Sequence, residues 1–347
     1  MFHPEEKYML RALQLAACGA GFVSPNPMVG AVIVAPDGRI IGQGWHRKFG
    51  GPHAEVNAVA SVKAEDEHLL KDSTIYVTLE PCSHYGKTPP CSLLLINKGL
   101  KRVVVGSPDP FPLVSGRGIK MLREAGIEVI ENFMRKECDA LNRRFLTAHT
   151  LGRPYILLKW AQSRNGLIAA AHHISSSLDS DSGVQPHVRQ TAVPVQLSSP
   201  LTSTLMHSQR ALYDAILVGT NTVIIDNPSL TTRHWPGRDP APVTFASPRL
   251  PEEAVILSRP HILIDPALPI SESIKKLYKD HSITSLMVEG GAATLTSFLA
   301  AGLYDEIRIE ISPKEISEGL RAPALPPGLI LQSNQNIDGA TILTLSS

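Results

Sequence analysis

Residues 78–91 read TLEPCSHYGKTPPC and join the end of a β-branched run to the start of a helical pattern. The stretch carries Pro81-Cys82 at one end and Cys91 at the other. The segment between them, His84 to Pro90, is rich in turn-forming residues, so the chain can fold back and bring the two thiols together. Upstream, His53-Ala54-Glu55 opens another helical pattern. The order is a His before a helix, a strand, one Cys after the strand, and a second Cys before a helix.

This order of residues indicates a metal centre. His53, Cys82 and Cys91 supply one imidazole and two thiolates, ligands that zinc prefers, and leave a fourth tetrahedral position for water. An open position is typical of a catalytic site, because zinc lowers the pKa of bound water. Glu55 is placed to carry a proton to a leaving amine. His-x-Glu followed by Pro-Cys-x-x-Cys is the signature of zinc deaminases, although here eight residues rather than two separate the cysteines.

Each of these residues also has an ordinary interpretation. A lone His before a helix is usually structural, and two cysteines at this separation are more often buried thiols. Their joint occurrence in the required order favours the metal site. Cys18 lies in an apolar helical face and Cys138 in a late helix, so both are interpreted as packing residues.

Composition excludes several classes of protein. The chain of 347 residues has 33 basic and 32 acidic side chains and a formal net charge of +1, which disfavours a dedicated nucleic-acid binder. No apolar stretch approaches the roughly 20 residues that cross a bilayer, and the start, MFHPEEKYML, lacks the pattern of a leader. Four cysteines are too few for a disulfide framework. We therefore expect a cytoplasmic protein.

The pattern along the chain predicts an α/β architecture of two domains with largely parallel sheets. We expect a first domain over residues 1–146, a linker over 147–154 and a second domain over 155–347. Residues 171–200 are Ser-rich and lose periodicity, which predicts a long loop insertion. Helices are predicted over 5–17, 54–62, 91–98, 117–125 and 292–301. Strands are predicted over 29–34, 39–42, 74–78, 102–105, 128–130, 155–160, 215–219, 261–264, 285–288 and 306–311.

Several segments together resemble one family, the bifunctional riboflavin-biosynthesis diaminohydroxyphosphoribosylaminopyrimidine deaminase / 5-amino-6-(5-phosphoribosylamino)uracil reductase. The resemblance implies a cytidine-deaminase-like three-layer domain followed by a dihydrofolate-reductase-like α/β domain, with Zn²⁺ and NADPH as cofactors. It implies a small phosphorylated pyrimidine as substrate, no nucleic-acid or membrane partner, and leaves homo-oligomerisation open. The segments are SPNPMVG at 24–30, GWH at 44–46, GPHAE at 51–55, residues 78–91, ECDALN at 137–142, LKWAQS at 158–163, DAILVG at 214–219, TVIIDNPSLT at 222–231 and VEGG at 288–291.

In the first domain the resemblance implies zinc on His53, Cys82 and Cys91, with Glu55 as the proton shuttle. Cationic or N–H donors suit the phosphorylated sugar. For Asn26 and Asp109, formation of a turn is an equally weighted interpretation. For Lys87, the equal interpretation is a solvated charge on a loop. The implied substrate contacts are Asn26, His46, His84, Lys87 and Asp109.

In the second domain the resemblance implies reduction of the ribosyl group to a ribityl chain. No Rossmann glycine motif is present, but Gly290-Gly291 leads into a helix whose N–H groups suit a cofactor phosphate. The implied cofactor contacts are Ala161, Thr222, Asp226, Ser247, Gly291, Ala292, Ala293, Thr294, Leu295, Thr296 and Ser297. The implied substrate contacts are Lys159, Arg210, Leu230, Arg233 and Glu289.

The second domain departs from the family pattern in three places. Asn165 stands where the family has Asp in Ser-x-Asp-Gly. A Trp-Ile-Thr-like segment is replaced by Gln196-Leu197-Ser198, displaced by an insertion, and the glycine pair expected after residues 311–314 is missing. A deaminase with a non-reducing C-terminal scaffold is therefore the alternative. A nucleic-acid base deaminase is disfavoured because it needs a basic groove.

Overall fold

The computed structural model describes residues 2–85, 89–111, 115–174, 189–193 and 195–346, with no side-chain description for 172–174 and 189–192. The chain divides into two compact units, Met1–Arg153 and Pro154–Ser347. None of the helices in the described ranges is long and apolar enough to cross a bilayer.

The first unit alternates helices and strands. Its five strands form one sheet of order β2-β1-β3-β4-β5, in which β1 runs antiparallel to its neighbours and β3, β4 and β5 are parallel. The helices are α1 (Glu6–Ala17), α2 (Ala54–Ala60), α3 (Cys91–Asn97), α4 (Arg117–Glu124), α5 (Arg135–Leu141) and α6 (Arg143–Leu151), with a 3₁₀ helix at Ala64–Asp72. The strands are β1 (Gly30–Val34), β2 (Ile40–Trp45), β3 (Thr74–Leu79), β4 (Arg102–Ser107) and β5 (Glu128–Ile130).

Both faces of this sheet are covered, so every residue of β1 and β3 is buried. On β1, Ala31 and Ile33 face the cluster formed with α2, α3 and α4, while Val32 and Val34 face α1 and α5. The unit is therefore a three-layer sandwich. Because α2 and α3 lie on the same face, the residues that begin them, His53 and Cys91, are brought to one side of the sheet.

A close approach of backbone to backbone fixes α1 against the sheet. A Cβ atom on Gly30 would lie 2.0 Å from the carbonyl oxygen of Ala12, so only glycine fits at the start of β1. The Gly30 N–H donates to Thr78 Oγ1 on β3 at 3.1 Å. This packing ties the segment before β1 to the strand that leads to Cys82.

The second unit is built on an eight-stranded sheet of order β11-β10-β9-β12-β6-β13-β16-β15. The first six strands in this order are parallel, and β16 runs antiparallel to both of its neighbours, β13 and β15. A small sheet of order β14-β7-β8 accompanies it. The strands are β6 (Tyr155–Gln162), β7 (Leu167–Ile174), β8 (Arg189–Val193), β9 (Ala215–Leu217), β10 (Ala241–Phe245), β11 (Ile262–Ile264), β12 (Ser285–Val288), β13 (Glu306–Ile311), β14 (Gly319–Arg321), β15 (Ile330–Ile337) and β16 (Ala340–Ser346).

Helices cover both faces of the large sheet. The cluster that contains Ile156 and Leu158 of β6 includes residues of α9 and α10, and the cluster that contains Tyr155 and Leu157 includes residues of α7 and α8. The helices are α7 (Pro200–Arg210), α8 (Thr220–Asp226), α9 (Ile270–His281) and α10 (Ala292–Ala300), with a 3₁₀ helix at Val255–Ser258.

Two expectations about chain connections are corrected. Residues 147–151, expected in a linker, complete α6, because Ala148 is buried and Gly152 ends the helix in the left-handed region at φ 63°. The long loop expected over 171–200 is interrupted by a β-ribbon in which β7 pairs with β8 from Ala170 opposite Val193 to Ile174 opposite Arg189. The rest of that expectation, residues 175–188 and 194, lies outside the described residues.

Candidate active sites

The first unit brings the three predicted metal ligands together. His53 is the residue before α2, Cys82 follows β3, and Cys91 begins α3. His53 Nδ1 lies 3.3 Å from Cys91 Sγ and 3.6 Å from Cys82 Sγ, and the three ligand atoms lie within 4.8 Å of one another. With zinc–sulfur and zinc–nitrogen bonds of about 2.3 and 2.0 Å, ligand atoms of a tetrahedral site are about 3.5–3.8 Å apart. The cluster therefore fits zinc.

Backbone contacts hold the two thiols in place. The Cys91 N–H donates to Cys82 Sγ at 3.2 Å, and the Ser92 hydroxyl donates to the Cys82 carbonyl at 2.9 Å. Hydrogen bonds from Cys91 and His53 lower the pKa of Cys82 to about 4. The neighbouring Cys82 sulfur and burial raise the pKa of Cys91. Cys82 is thus already disposed to be a thiolate ligand.

Glu55 lies in the first turn of α2, directly beside the cluster. Its side chain is buried, at 3% exposure, and its carboxyl interacts with the Cys91 thiol. Burial and the negative charge of Cys82 raise the pKa of Glu55 to about 7. A carboxyl group in this position can both accept and donate a proton near neutral pH.

Asn26 and His46 form a hydrogen-bonded pair next to His53. His46 Nδ1 lies 3.0 Å from the carbonyl oxygen of Pro52, and its Nε2 lies 3.2 Å from the amide nitrogen of Asn26. The His46 ring is 5.7 Å from the His53 ring. Burial lowers the pKa of His46, so a neutral ring that donates through Nδ1 and accepts through Nε2 satisfies both contacts. Besides its backbone turn, Asn26 therefore contributes a side chain to the site.

Of the remaining substrate contacts implied for this unit, the structure describes His84 and Asp109. His84 is exposed, and Lys87 lies outside the described residues. The carboxylate of Asp109 accepts the N–H of Phe111 at 2.8 Å, which is the hydrogen bond of a turn. The turn interpretation of Asp109 is therefore supported by the geometry.

Two buried polar residues near this site are absent from the sequence-based set. Glu80 accepts the N–H groups of Gly116 at 3.0 Å and Gly118 at 3.2 Å, immediately before Pro81-Cys82. Asn142 accepts the N–H of Met28 at 2.9 Å and donates to its carbonyl at 2.8 Å. An acidic residue between a strand rich in β-branched residues and Pro-Cys is the sequence signal that could have identified Glu80.

We expect Glu80→Ala to lower the free energy of unfolding by about 1–3 kcal/mol, because the buried Gly118 N–H loses its acceptor. Chemical denaturation of the purified protein measures the change. Glu137→Ala removes an exposed carboxylate and is the matched control. Equal denaturation midpoints for the two variants would show that Glu80 does not hold this segment.

The second unit contains a cavity of about 570 Å³. It lies at the carboxyl ends of the parallel strands β6, β9 and β12, which is where ligands bind in open α/β sheets. The lining residues fall in five segments of chain plus Phe245 and Leu320: 159–161, 168–169, 193–198 without residue 194, 219–226 without 223 and 224, and 289–294.

Many of the residues implied for the reductase line this cavity. From the cofactor set these are Ala161, Thr222, Asp226, Gly291, Ala292, Ala293 and Thr294, and from the substrate set Lys159 and Glu289. The N–H of Gly291 donates to Thr222 Oγ1 at 3.2 Å, which joins α8 to the start of α10. A Cβ on Gly219 would lie 2.4 Å from Thr294 Oγ1, so the two turns pack closely.

Other implied residues lie away from the cavity wall. Leu295 is fully buried in the core, because only one face of α10 can turn toward the cavity. Thr296 and Ser297 follow on the same helix, and Ser297 donates back to Ala293. Leu230 is buried in the cluster beneath α7 and α8. Three others are engaged elsewhere: Ser247 accepts from the N–H of Arg249, Arg233 donates to Ser229, and Arg210 pairs with Glu289.

Arg210 and Glu289 form a bidentate ion pair in which Glu289 lines the cavity and Arg210 does not. The guanidinium donates to the two carboxylate oxygens at 2.9 and 2.6 Å. Burial alone would raise the pKa of Glu289, but Arg210, with a smaller contribution from Lys159, holds it below its ordinary value. Glu289 is therefore a fixed negative charge at the cavity, with Lys159 as a further lining cation.

Two departures from the family pattern have a structural explanation. Gln196, Leu197 and Ser198 line the cavity after the β7–β8 ribbon, so the displaced segment returns to the site. The Asn165 side chain accepts from Ser163 at 2.6 Å and its amide donates to the Ile316 carbonyl at 2.6 Å. A carboxylate could not donate this second bond, so asparagine suits the turn.

The two units and their sites define a class of protein: a zinc deaminase joined to a reductase that uses NADPH. Residues 3–107 match the zinc-binding region of cytidine and deoxycytidylate deaminases, and residues 154–338 match the RibD C-terminal domain. The chain belongs to the RibD family and is a bifunctional deaminase and reductase of riboflavin biosynthesis. The predicted α/β fold, with a cytidine-deaminase-like domain followed by a reductase domain, is confirmed, as are Zn²⁺ and NADPH as the fitting cofactors.

Individual relatives cover nearly the whole chain. Riboflavin biosynthesis protein RibD of Aquifex aeolicus is 39% identical over 91% of this chain and 89% of its own. A structure of Acinetobacter baumannii RibD matches with a TM-score of 0.85 and 31% identity, covering 98% of each chain. The Thermotoga maritima diaminohydroxyphosphoribosylaminopyrimidine deaminase/5-amino-6-(5-phosphoribosylamino)uracil reductase matches with a TM-score of 0.80 and 34% identity over 98% of each chain.

Proposed function

We propose that the first unit removes the 2-amino group of 2,5-diamino-6-ribosylamino-4(3H)-pyrimidinone 5′-phosphate by hydrolysis. We further propose that the second unit reduces the ribosyl group of the product to a ribityl chain with NADPH. The observation that carries the proposal is the convergence of His53, Cys82 and Cys91 beside the buried carboxyl of Glu55. The name of the Thermotoga maritima relative, which contains both a deaminase and a reductase, supports both steps.

In the deaminase, His53, Cys82 and Cys91 would hold the zinc ion. Bound zinc supplies a Lewis acid that lowers the pKa of water. The Glu55 carboxylate takes a proton from the attacking water and passes it to the departing amine, which leaves as ammonia. Asn26 and His46, fixed to each other beside His53, orient the pyrimidine. His84, Lys87 and Asp109 complete the proposed contacts to substrate.

In the reductase, the turn from β12 into α10 and the first turn of α8 would hold NADPH, with Gly291, Thr222 and Asp226 on the cavity wall. Bound NADPH supplies a hydride to the sugar carbon. Lys159 and Glu289 line the same cavity and are the proposed substrate contacts, with Arg210 fixing the Glu289 carboxylate.

Product analysis tests the whole proposal and separates it from a deaminase with a scaffold domain. The purified protein is incubated with the pyrimidine phosphate, with and without NADPH, and the products are analysed by mass spectrometry. Deamination exchanges the amino nitrogen for oxygen, and reduction then adds two hydrogen atoms only when NADPH is present. Deamination without any NADPH-dependent product would identify the second unit as a scaffold.

The proposal extends to the partner and the cellular compartment of the enzyme. A net charge of +1 supports a small-molecule partner over a nucleic acid or a membrane surface. A reducing compartment such as the cytoplasm keeps Cys82 and Cys91 as thiols available to zinc.

Cys82→Ser and Cys91→Ser should each lose bound zinc and deaminase activity together. Mutating a residue that only hydrogen-bonds to a metal ligand typically lowers metal affinity by about 10–100-fold. Losing a thiolate ligand itself should lower the affinity for zinc by more than this. Zinc content by elemental analysis and ammonia release measure the two effects. Cys18 was expected to be a packing residue, but its thiol is exposed because it lies at the C-cap of α1, so Cys18→Ser is the control. Full zinc content in both variants would remove these residues from the metal site.

A further inference from the structure

Ser198 lines the cavity, and its hydroxyl proton is already used in a hydrogen bond within the protein. Its Oγ donates to Glu310 Oε2 at 2.9 Å, and Thr202 Oγ1 donates to the other oxygen, Oε1, at 2.7 Å. Glu310 is only 3% exposed and Thr202 only 2%. The carboxylate thus lies behind the wall and accepts one hydrogen bond from the wall and one from the start of α7.

The position of Glu310 follows from the sheet. On β13 it pairs with Ala161 of β6, which also lines the cavity. Arg308, two residues earlier and on the same face of the strand, provides a nearby positive charge. Glu310 itself does not line the cavity, so any effect on a ligand has to pass through Ser198.

The segment that carries Ser198 is held at three points. Lys314 Nζ donates to the Gln196 carbonyl at 2.6 Å, and Leu197 is buried in a small apolar cluster with Leu167 and Ile316. The third point is the bond from Ser198 to Glu310. Because these anchors restrain backbone and side chain together, the Ser198 oxygen has a defined position before a ligand binds.

A hydroxyl group has one proton and two lone pairs. With its proton given to Glu310, Ser198 can offer only lone pairs to the cavity. A ligand group that donates, such as a sugar hydroxyl or a carboxamide N–H, matches this arrangement. A phosphate oxygen, which accepts and carries negative charge next to a buried carboxylate, does not.

We propose that Glu310 is a positioning residue that orients the Ser198 hydroxyl to accept a hydrogen bond from a donor group of the bound ligand. The inference rests on the proposed reduction in this cavity. The donor is either a sugar hydroxyl of the deaminated substrate or the carboxamide of NADPH, and the two are distinguished by which Michaelis constant changes.

The test uses the full chain with deaminated substrate and NADPH supplied. Ser198→Ala and Glu310→Leu should each raise the KM of one of the two ligands about tenfold while kcat changes much less, because a binding contact is lost. The double variant should be no worse than Ser198→Ala alone, since both changes remove the same interaction. Dissociation constants by calorimetry give the same comparison without turnover, so failure of reduction and failure of this inference are distinguishable.

Two further variants control for structure. Glu310→Gln should stay close to wild type, because its carbonyl can still accept from Ser198 while its amide donates to Thr202, whose own proton can go to the Ser199 carbonyl. Thr202→Val removes the other hydrogen bond to Glu310, and with it the Thr202 half of the capping box of α7, at a residue that does not line the cavity. Unchanged KM and dissociation constants in Ser198→Ala would overturn the proposal. Additive losses in the double variant, or the same loss in Thr202→Val, would overturn it as well.

Discussion

Glu55→Gln should lower the rate of deamination by about 10²–10⁴-fold while the protein keeps its zinc. The amide has nearly the shape of the carboxyl group, so packing in the first turn of α2 is preserved. It cannot take a proton from water and pass it to the leaving amine. Ammonia release and zinc content, measured on the same preparation, separate loss of proton transfer from loss of the metal.

Glu67→Gln makes the same chemical change at an exposed position and should leave both measurements unchanged. If Glu55→Gln lost zinc in proportion to activity, Glu55 would act by holding the ligands. Wild-type turnover in this variant would remove Glu55 from the mechanism altogether.

The first unit is largely predictable from sequence because its signals are local. The run at 74–78 becomes β3 and the pattern at 117–125 becomes α4, each within a residue of the expected bounds. The metal cluster follows for the same reason. Each of its ligands adjoins a helix or strand whose pattern is strong, and shared placement on one sheet face brings them together.

Elements that depend on tertiary packing were not predictable. The helix α7 reads PLTSTLMHSQR, whose Ser and Thr residues favour helices poorly. It forms because Ser199 and Thr202 make a capping box and Met206 is buried. The strand β7 reads LIAAAHHI and shows no alternation of apolar and polar residues, whereas β8 and the C-terminal strand β15 carry too few apolar residues for an alternating pattern to be detected.

The parts of the second site that the sequence could not reveal are pairings between distant residues. Arg210 and Glu289 are 79 residues apart, and Ser198 and Glu310 are 112 apart. The resemblance implied Arg210 and Glu289 as separate substrate contacts, but no spacing rule shows that one neutralises the other. Only the assembly of the eight-stranded sheet brings the two members of each pair into contact.

Breaking the Arg210–Glu289 pair should have a large effect on the second unit. Removing one partner of a buried ion pair costs about 3–5 kcal/mol, because the other charge remains buried without compensation. We therefore expect Arg210→Met to lower the free energy of unfolding by roughly this amount and to abolish reduction of supplied deaminated substrate. Ammonia release should persist, since the zinc cluster and Glu55 lie wholly within the first unit.

The double variant Arg210→Met/Glu289→Leu shows whether the ion pair serves only stability or also reduction. Replacing both charges by apolar side chains of similar size should restore most of the stability, because no unpaired charge is left. It should not restore reduction, because Glu289 lines the cavity and its carboxylate is gone. Chemical denaturation and NADPH oxidation, measured side by side, give the two answers. A double variant that regained both stability and reduction would show the pair to be purely structural. If Arg210→Met lost ammonia release in parallel with reduction, the two activities would not be independent.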